Sequence, residues 1–161
     1  MMFVMDGEQI RWPVGRTPDE SGVFVTNRIS INATPEKVWS WLTYAQTWPE
    51  WYANSSNVVL PDDAEGRLKD KMTFRWRTFG VNLVSNVFEF VPNERLAWDG
   101  KSFGVDAYHA WRIIPTETGC DVLTEETQHG FLARLGNLFM PRRMSEQHQK
   151  WLEGLKAKAE G

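Results

Sequence analysis

One cysteine, Cys120, stands in a chain of 161 residues. A single thiol excludes any internal disulfide framework and any zinc site of the CxxC type. Long apolar runs are missing as well. The first ten residues carry Asp6 and Glu8, which argues against a secretory signal or membrane anchor there, so a cytoplasmic address without a membrane span is expected. Lysine and arginine (18) are outnumbered by aspartate and glutamate (21), and they form no dense cluster, which argues against a nucleic-acid partner. Neither a P-loop, nor a dinucleotide-binding glycine fingerprint, nor a GxSxG elbow occurs. Gly100-Lys101-Ser102-Phe103-Gly104 holds two glycines but opens no helix, so it is expected to be a strand connection at a cavity entrance. Apolar residues at 42% and charged residues at 24% match a globular chain of one-domain size.

What the chain has in excess is aromatic bulk: nine Trp and nine Phe. That describes either a core of large side chains or an aromatic-lined cavity. Residues 1–22 read as a leader punctuated by Pro13, Gly15, Pro18 and Gly22. Within it Ile10, Trp12 and Val14 alternate as a short strand or a strap. Residues 23–161 read as one domain.

A period of two from Phe24 to Asn32 predicts a strand with Val25, Ile29 and Ile31 on one face. Thr34-Pro35-Glu36 is a helix start, with an N-cap hydroxyl, proline at the first helical position and an acid in the first turn. A second short helix is expected at Trp48–Tyr52. Six strands follow, at Val58–Leu60, Met72–Arg77, Val81–Val91, Leu96–Gly100, Asp106–Ile114 and Cys120–Gln128. Their short polar turns favour an antiparallel meander. From Phe131 to about Ala159 the apolar positions Met144, His148, Trp151, Leu152, Leu155 and Ala159 recur at helical spacing, and Pro141 should kink or restart this helix.

This order of elements resembles the helix-grip fold of the START-like (SRPBCC) superfamily, in its polyketide cyclase/dehydrase-like branch. The likeness rests on Ile31-Asn32-Ala33-Thr34-Pro35-Glu36-Lys37-Val38-Trp39, Trp48-Pro49-Glu50-Trp51, Val91-Pro92-Asn93-Glu94-Arg95-Leu96 and Trp111-Arg112-Ile113-Ile114-Pro115 with Gly119-Cys120-Asp121-Val122. It implies an α+β domain: a curved antiparallel sheet of about seven strands wrapped around a long C-terminal helix, with two short helices after the first strand. Members of the superfamily bind lipids, sterols or plant metabolites, cyclise polyketides, or assist chaperones. The resemblance therefore implies a fold without choosing an activity.

Strand parity sets the inward face. A turn centred on Glu117 and Thr118 places Ile113 opposite Val122, Trp111 opposite Thr124 and His109 opposite Glu126. The expected ligand-binding wall is Phe74, Trp76, Trp98 and Trp111 with Met144 and Trp151. Ser85, His109, Thr124, Glu126 and His148 are its polar points. The parity also turns Glu89 inward and Phe88 and Phe90 outward, unless a β-bulge near Pro92 corrects it.

His109 and Glu126 form a candidate acid/base pair; the plainer alternative is a buried pair that satisfies itself. With His148 they match the composition of two-histidine, one-carboxylate metal sites. The three come from different elements with no local spacing, so no metal and no cofactor is expected. His129 is expected at a turn, Glu125 in solvent, and Arg142 and Arg143 on a solvated helix face or beside an anion at the cavity mouth. Three functions stay open: binding a hydrophobic or aromatic small molecule, a cyclase or dehydratase using His109 and Glu126, and a protein-interaction module. The chain is expected to be a monomer or homodimer.

Overall fold

The computed structural model describes residues 9–161, so Asp6 and Glu8 lie outside the described residues. Seven strands form one antiparallel sheet in the order β1-β7-β6-β5-β4-β3-β2. They are β1 (Val23–Ile31), β2 (Ser55–Val59), β3 (Thr73–Thr78), β4 (Val81–Val91), β5 (Arg95–Ser102), β6 (Val105–Pro115) and β7 (Cys120–His129). Between β1 and β2 lie α1 (Pro35–Thr43) and α2 (Trp48–Trp51); after β7 come α3 (Phe131–Phe139) and α4 (Arg143–Glu160). This is the helix-grip architecture. Among the described residues, no helix is long and apolar enough to cross a membrane.

Local chemistry explains the element boundaries. The Thr34 hydroxyl accepts from the Lys37 amide, capping α1, with Pro35 behind it. The C-terminal helix does not run unbroken from Phe131: it ends at Phe139 and restarts at Arg143. Pro141 sits in the gap, unable to donate the hydrogen bond that continuation requires. β2 begins earlier than its apolar residues suggest, because Ser55 and Ser56 pair with Thr78 and Arg77.

The register of the last hairpin is as parity requires, with His109 opposite Glu126 and Trp111 opposite Thr124. The sequence-based bulge at Pro92 is corrected: the shift in the β4–β5 pairing falls between Val87 and Glu89. The extra residue there reverses parity. Phe90 turns inward against Trp39, ring centroids 5.0 Å apart, and Glu89 turns out to within 3.6 Å of Arg11. Phe88 stays exposed.

Packing between sheet and helix is dominated by tryptophan. Trp48, Trp98, Trp111 and Trp151 are almost fully buried. Trp48 lies 5.1 Å from Trp151 and 5.4 Å from both Trp76 and Trp98, centroid to centroid. Truncating one of these to alanine costs about 3–5 kcal/mol. On the other face of the sheet, Ile10 and Trp12 pack on Ala97, Tyr108 and Ala110, and Arg16 bonds Asp106 at 2.8 Å.

α4 is drawn close to α2 at Gly154, where an added Cβ would stand 2.5 Å from the Trp51 carbonyl oxygen. In an ordinary helix, Gly154→Ala would gain about 1 kcal/mol of propensity. Here the methyl must push α2 from α4, so the variant is expected to melt several degrees below wild type in a thermal scan. An unchanged or raised Tm would show that the contact yields freely.

Candidate functional site

The inner face divides in two. Around the tryptophans it is solid: Phe74, Trp76, Trp98, Trp111 and Trp151 are all 4% exposed or less. Toward the opposite end, where β7 runs into α3, a cavity of about 180 Å³ opens between the sheet, α3 and the first turn of α4. Of the side chains expected on a ligand wall, Glu126 and Met144 line this cavity. Phe74, Trp76, Ser85, Trp98, His109, Trp111, Thr124, His148 and Trp151 do not. The aromatic rings are core because they fill the grip themselves. Ser85, for instance, is spent accepting the Trp76 indole N–H at 3.0 Å.

The cavity is mostly apolar. Leu83 and Ala107 come from the sheet, while Leu132, Ala133 and Gly136 come from α3 and Met140 from the residue that caps its end. Its polar groups are few: Glu126 and Gln128 on β7, Thr78 on β3, Asn137 on α3 and Arg143 on α4. Sequence parity contained part of this, since Ala107 and Gln128 are the next inward positions after His109 and Glu126. What it missed was the contribution of α3, whose turn depends on Gly130 at φ +107°. An added Cβ there would stand 2.2 Å from the Gly104 carbonyl oxygen. Only glycine allows β7 to turn so sharply into α3, laying the helix over the sheet's end. Arg143 sits at the cavity rim with its guanidinium 5.4 Å from the centroid of the Phe79 ring, whereas Arg142 is exposed. His129, expected at a turn, is instead the last residue of β7, paired with Asp106, and its Nε2 lies 3.0 Å from the Gly15 carbonyl oxygen.

At the boundary between the solid and hollow halves sit His109, Glu126 and His148. Cross-strand register brings His109 and Glu126 together, but His109 Nδ1 is 4.0 Å from the carboxylate, too far for a good hydrogen bond. His148 Nε2 takes that place, 3.3 Å from Glu126 Oε2. His109 instead shares a 2.7 Å hydrogen bond between Nε2 and the Thr124 hydroxyl. The sequence-based pairing is thus redrawn. β7's carboxylate meets α4's histidine because that helix reaches across the sheet at Glu126.

One ligand atom from each of the three residues falls within 4.8 Å of the others. The two imidazoles are stacked, 4.6 Å apart and inclined by only 16°. Their lone pairs lie in the ring planes, so nearly parallel rings cannot both point at one ion until one of them turns. As it stands, the cluster sets the Glu126 carboxylate 3.3 Å from one imidazole, that of His148, at the edge of the cavity. Gln128 Nε2 lies 3.4 Å from the same carboxylate.

Burial, with a smaller contribution from the neighbouring His148, holds the His109 pKa well below 6.5. An unfolded chain therefore takes up a proton at this position below about pH 6.5 while the folded one does not. His109 should cost up to about 1.4 kcal/mol of stability per pH unit below that point, down to its folded pKa. Urea denaturation across mildly acidic pH should show a shallower acid-side loss for His109→Gln than for wild type. Parallel profiles would contradict a neutral His109.

Comparison with known proteins agrees with this architecture. The family described as polyketide cyclase / dehydrase and lipid transport matches residues 23–160. A hypothetical protein from Helicobacter pylori shares 33% identity, covers 99% of each chain and superposes with a TM-score of 0.88. The di-domain ARO/CYC StfQ of the steffimycin biosynthetic pathway shares the fold at 17% identity and a TM-score of 0.69, over 86% of this chain and 51% of its own. A START superfamily protein from Mycobacterium smegmatis does so at 14% identity and 0.67, over 85% and 97%. No curated protein matches the chain. With 23–160 matched, the chain belongs to the polyketide cyclase/dehydrase and lipid transport family of START-like proteins.

Proposed function

We propose that this protein binds a small, mainly apolar molecule with polar groups toward its two ends, held in the cavity under α3. The observation that carries the reading is the make-up of that cavity: apolar walls from sheet and helix, a buried carboxylate at the inner end and a guanidinium at the rim. Sites for small molecules commonly combine apolar walls with a few placed polar groups. Glu126 would receive a hydroxyl or ammonium group, and Arg143 an anionic one. At about 180 Å³ the space is smaller than the usual ~300 Å³ or more for drug-sized ligands. A larger ligand would need α3 to move aside, and Ala133 is the only buried residue of that helix. Cys120 is a free, buried thiol, in keeping with the cytoplasmic address we include in the proposal.

A chemical variant of this reading has one specific observation behind it. Glu126 both lines the cavity and stands 3.3 Å from His148, so a proton taken from a bound molecule would have a second base to move to. Under this variant, recovered ligand loses water or changes structure in wild type and not in Glu126→Gln.

Gly136 supplies the direct test of occupancy. It lines the cavity, has no atom within 4 Å of an added Cβ, and sits inside a helix where glycine is unfavourable. Gly136→Leu should fill the space without lowering Tm. Native mass spectrometry and a thermal-shift panel of fatty acids, sterols and aromatic polyketides should give a ligand for wild type, with affinity reduced at least about tenfold in the variant. No retained or stabilising compound, or equal binding by both proteins, would overturn the proposal.

A further inference from the structure

α3 is apolar on two sides. Leu132, Ala133, Gly136 and Met140 face the cavity, yet Phe131, Leu135, Leu138 and Phe139 stand in solvent, the last two 73% exposed. The β5–β6 turn adds Phe103, 81% exposed, its ring 5.6 Å from that of Phe131. Arg134 and Asn137 lie off this stripe, so α3 is amphipathic with its bulkiest apolar residues turned outward. Such a face is normally buried, and an exposed cluster of this kind marks an interaction surface.

Charge says what kind of surface it meets. The antiparallel order puts the β3–β4 turn, the β5–β6 turn and the end of β7 at one end of the sheet, with α3 across it. Residues 77–82, 100–105 and 130–145 carry Arg77, Lys101, Arg134, Arg142 and Arg143 and no carboxylate, in a chain whose formal net charge is −3. Most acids near this end are engaged or set aside: Asp106 is held by Arg16 at 2.8 Å, Asp99 is buried 3.9 Å from Lys101, Glu126 is buried, and Glu20 bonds Thr17 in the leader beside Asp19. That leaves Glu146, one turn beyond Arg142, as the exposed acid of α4's first turn. Arg134 and Arg142 have no ion pair among the described residues. A second copy is disfavoured as the occupant, because a two-fold contact would set the arginines of one α3 against those of the other. An apolar helix flanked by arginine is the pattern of a segment lying in a lipid interface.

We propose that this end of the molecule docks on a bilayer carrying anionic phospholipid. α3 and Phe103 insert among the headgroups, and Arg134 and Arg142 meet the phosphates. The inference does not depend on the nature of the cavity's ligand, although the docked helix is also the cavity's cover.

The test is flotation of the full chain with vesicles of phosphatidylcholine alone and of phosphatidylcholine mixed with phosphatidylglycerol. Wild type should float with the mixed vesicles, remain in solution with phosphatidylcholine, and be released by high salt. Leu138→Ser with Phe139→Ser should lower partitioning more than about tenfold. Arg134→Gln with Arg142→Gln should lower it about twentyfold. All four positions are exposed, so thermal unfolding of both variants should match wild type, which separates lost docking from lost folding. Light scattering of wild type and the serine variant supplies the competing outcome. A dimer that the serines dissolve, without vesicle binding, makes a second copy the occupant and overturns the proposal. Failure to float with mixed vesicles, equal flotation with both compositions, or undiminished flotation of the variants overturns it as well.

Discussion

The contact among Trp48, Trp76, Trp98 and Trp151 decides how this molecule uses its interior. A curved sheet closing on a helix leaves a volume that side chains, water or a ligand must occupy. Here four indoles from α2, β3, β5 and α4 meet within 5.1–6.4 Å of one another. Each removes a large apolar surface from water. The consequence is positional. Space remains only where the tryptophans stop, at the end of the sheet where β7 gives way to α3.

That division also accounts for what the sequence made legible. Parity worked wherever strands alternate strictly, so the His109–Glu126 register and the inward set Phe74, Trp76, Trp98 and Trp111 could be placed from residue order and turn position alone. It did not reveal whether the inward residues leave room between them. Filling is a property of volumes in three dimensions, and a tryptophan facing inward looks the same in sequence whether it lines a hole or plugs it. The β4–β5 bulge was legible as an inconsistency around Glu89 but not as a location. Its position depends on the pairing of Val87 with Trp98 and of Glu89 with Ala97.

α3 was the hardest element to interpret, for a different physical reason. Its apolar residues Phe131, Leu132, Leu135, Leu138 and Phe139 recur at helical spacing with Arg134 and Asn137 off that stripe, so the sequence suggests one more buried face, and joining it to the stripe of α4 looked natural despite Pro141. In the fold, the inward positions of α3 enclose the cavity while the outward ones stand largely in solvent, with Phe131 meeting only the equally exposed Phe103 ring among the aromatic contacts of the described residues. A one-sided stripe normally announces a buried face; only the tertiary structure shows that this one is turned outward.

Glu126 ties the two halves together. Nearly buried, a carboxylate would be costly if it stood alone. It is relieved on one side by His148 and Gln128, while the hollow side gives it access to whatever enters. Moved one inward position back along β7, the residue would be Thr124, sealed against His109 with no exposure at all. Moved one forward, it would be Gln128, half-exposed beside Met144. On β7 the position that is both buried and adjoining the cavity holds the acid, and the helix stripe delivers His148 to that height. Neither a purely structural core nor an open groove requires that coincidence, whereas a ligand whose polar group meets a shielded acid, as proposed above, would.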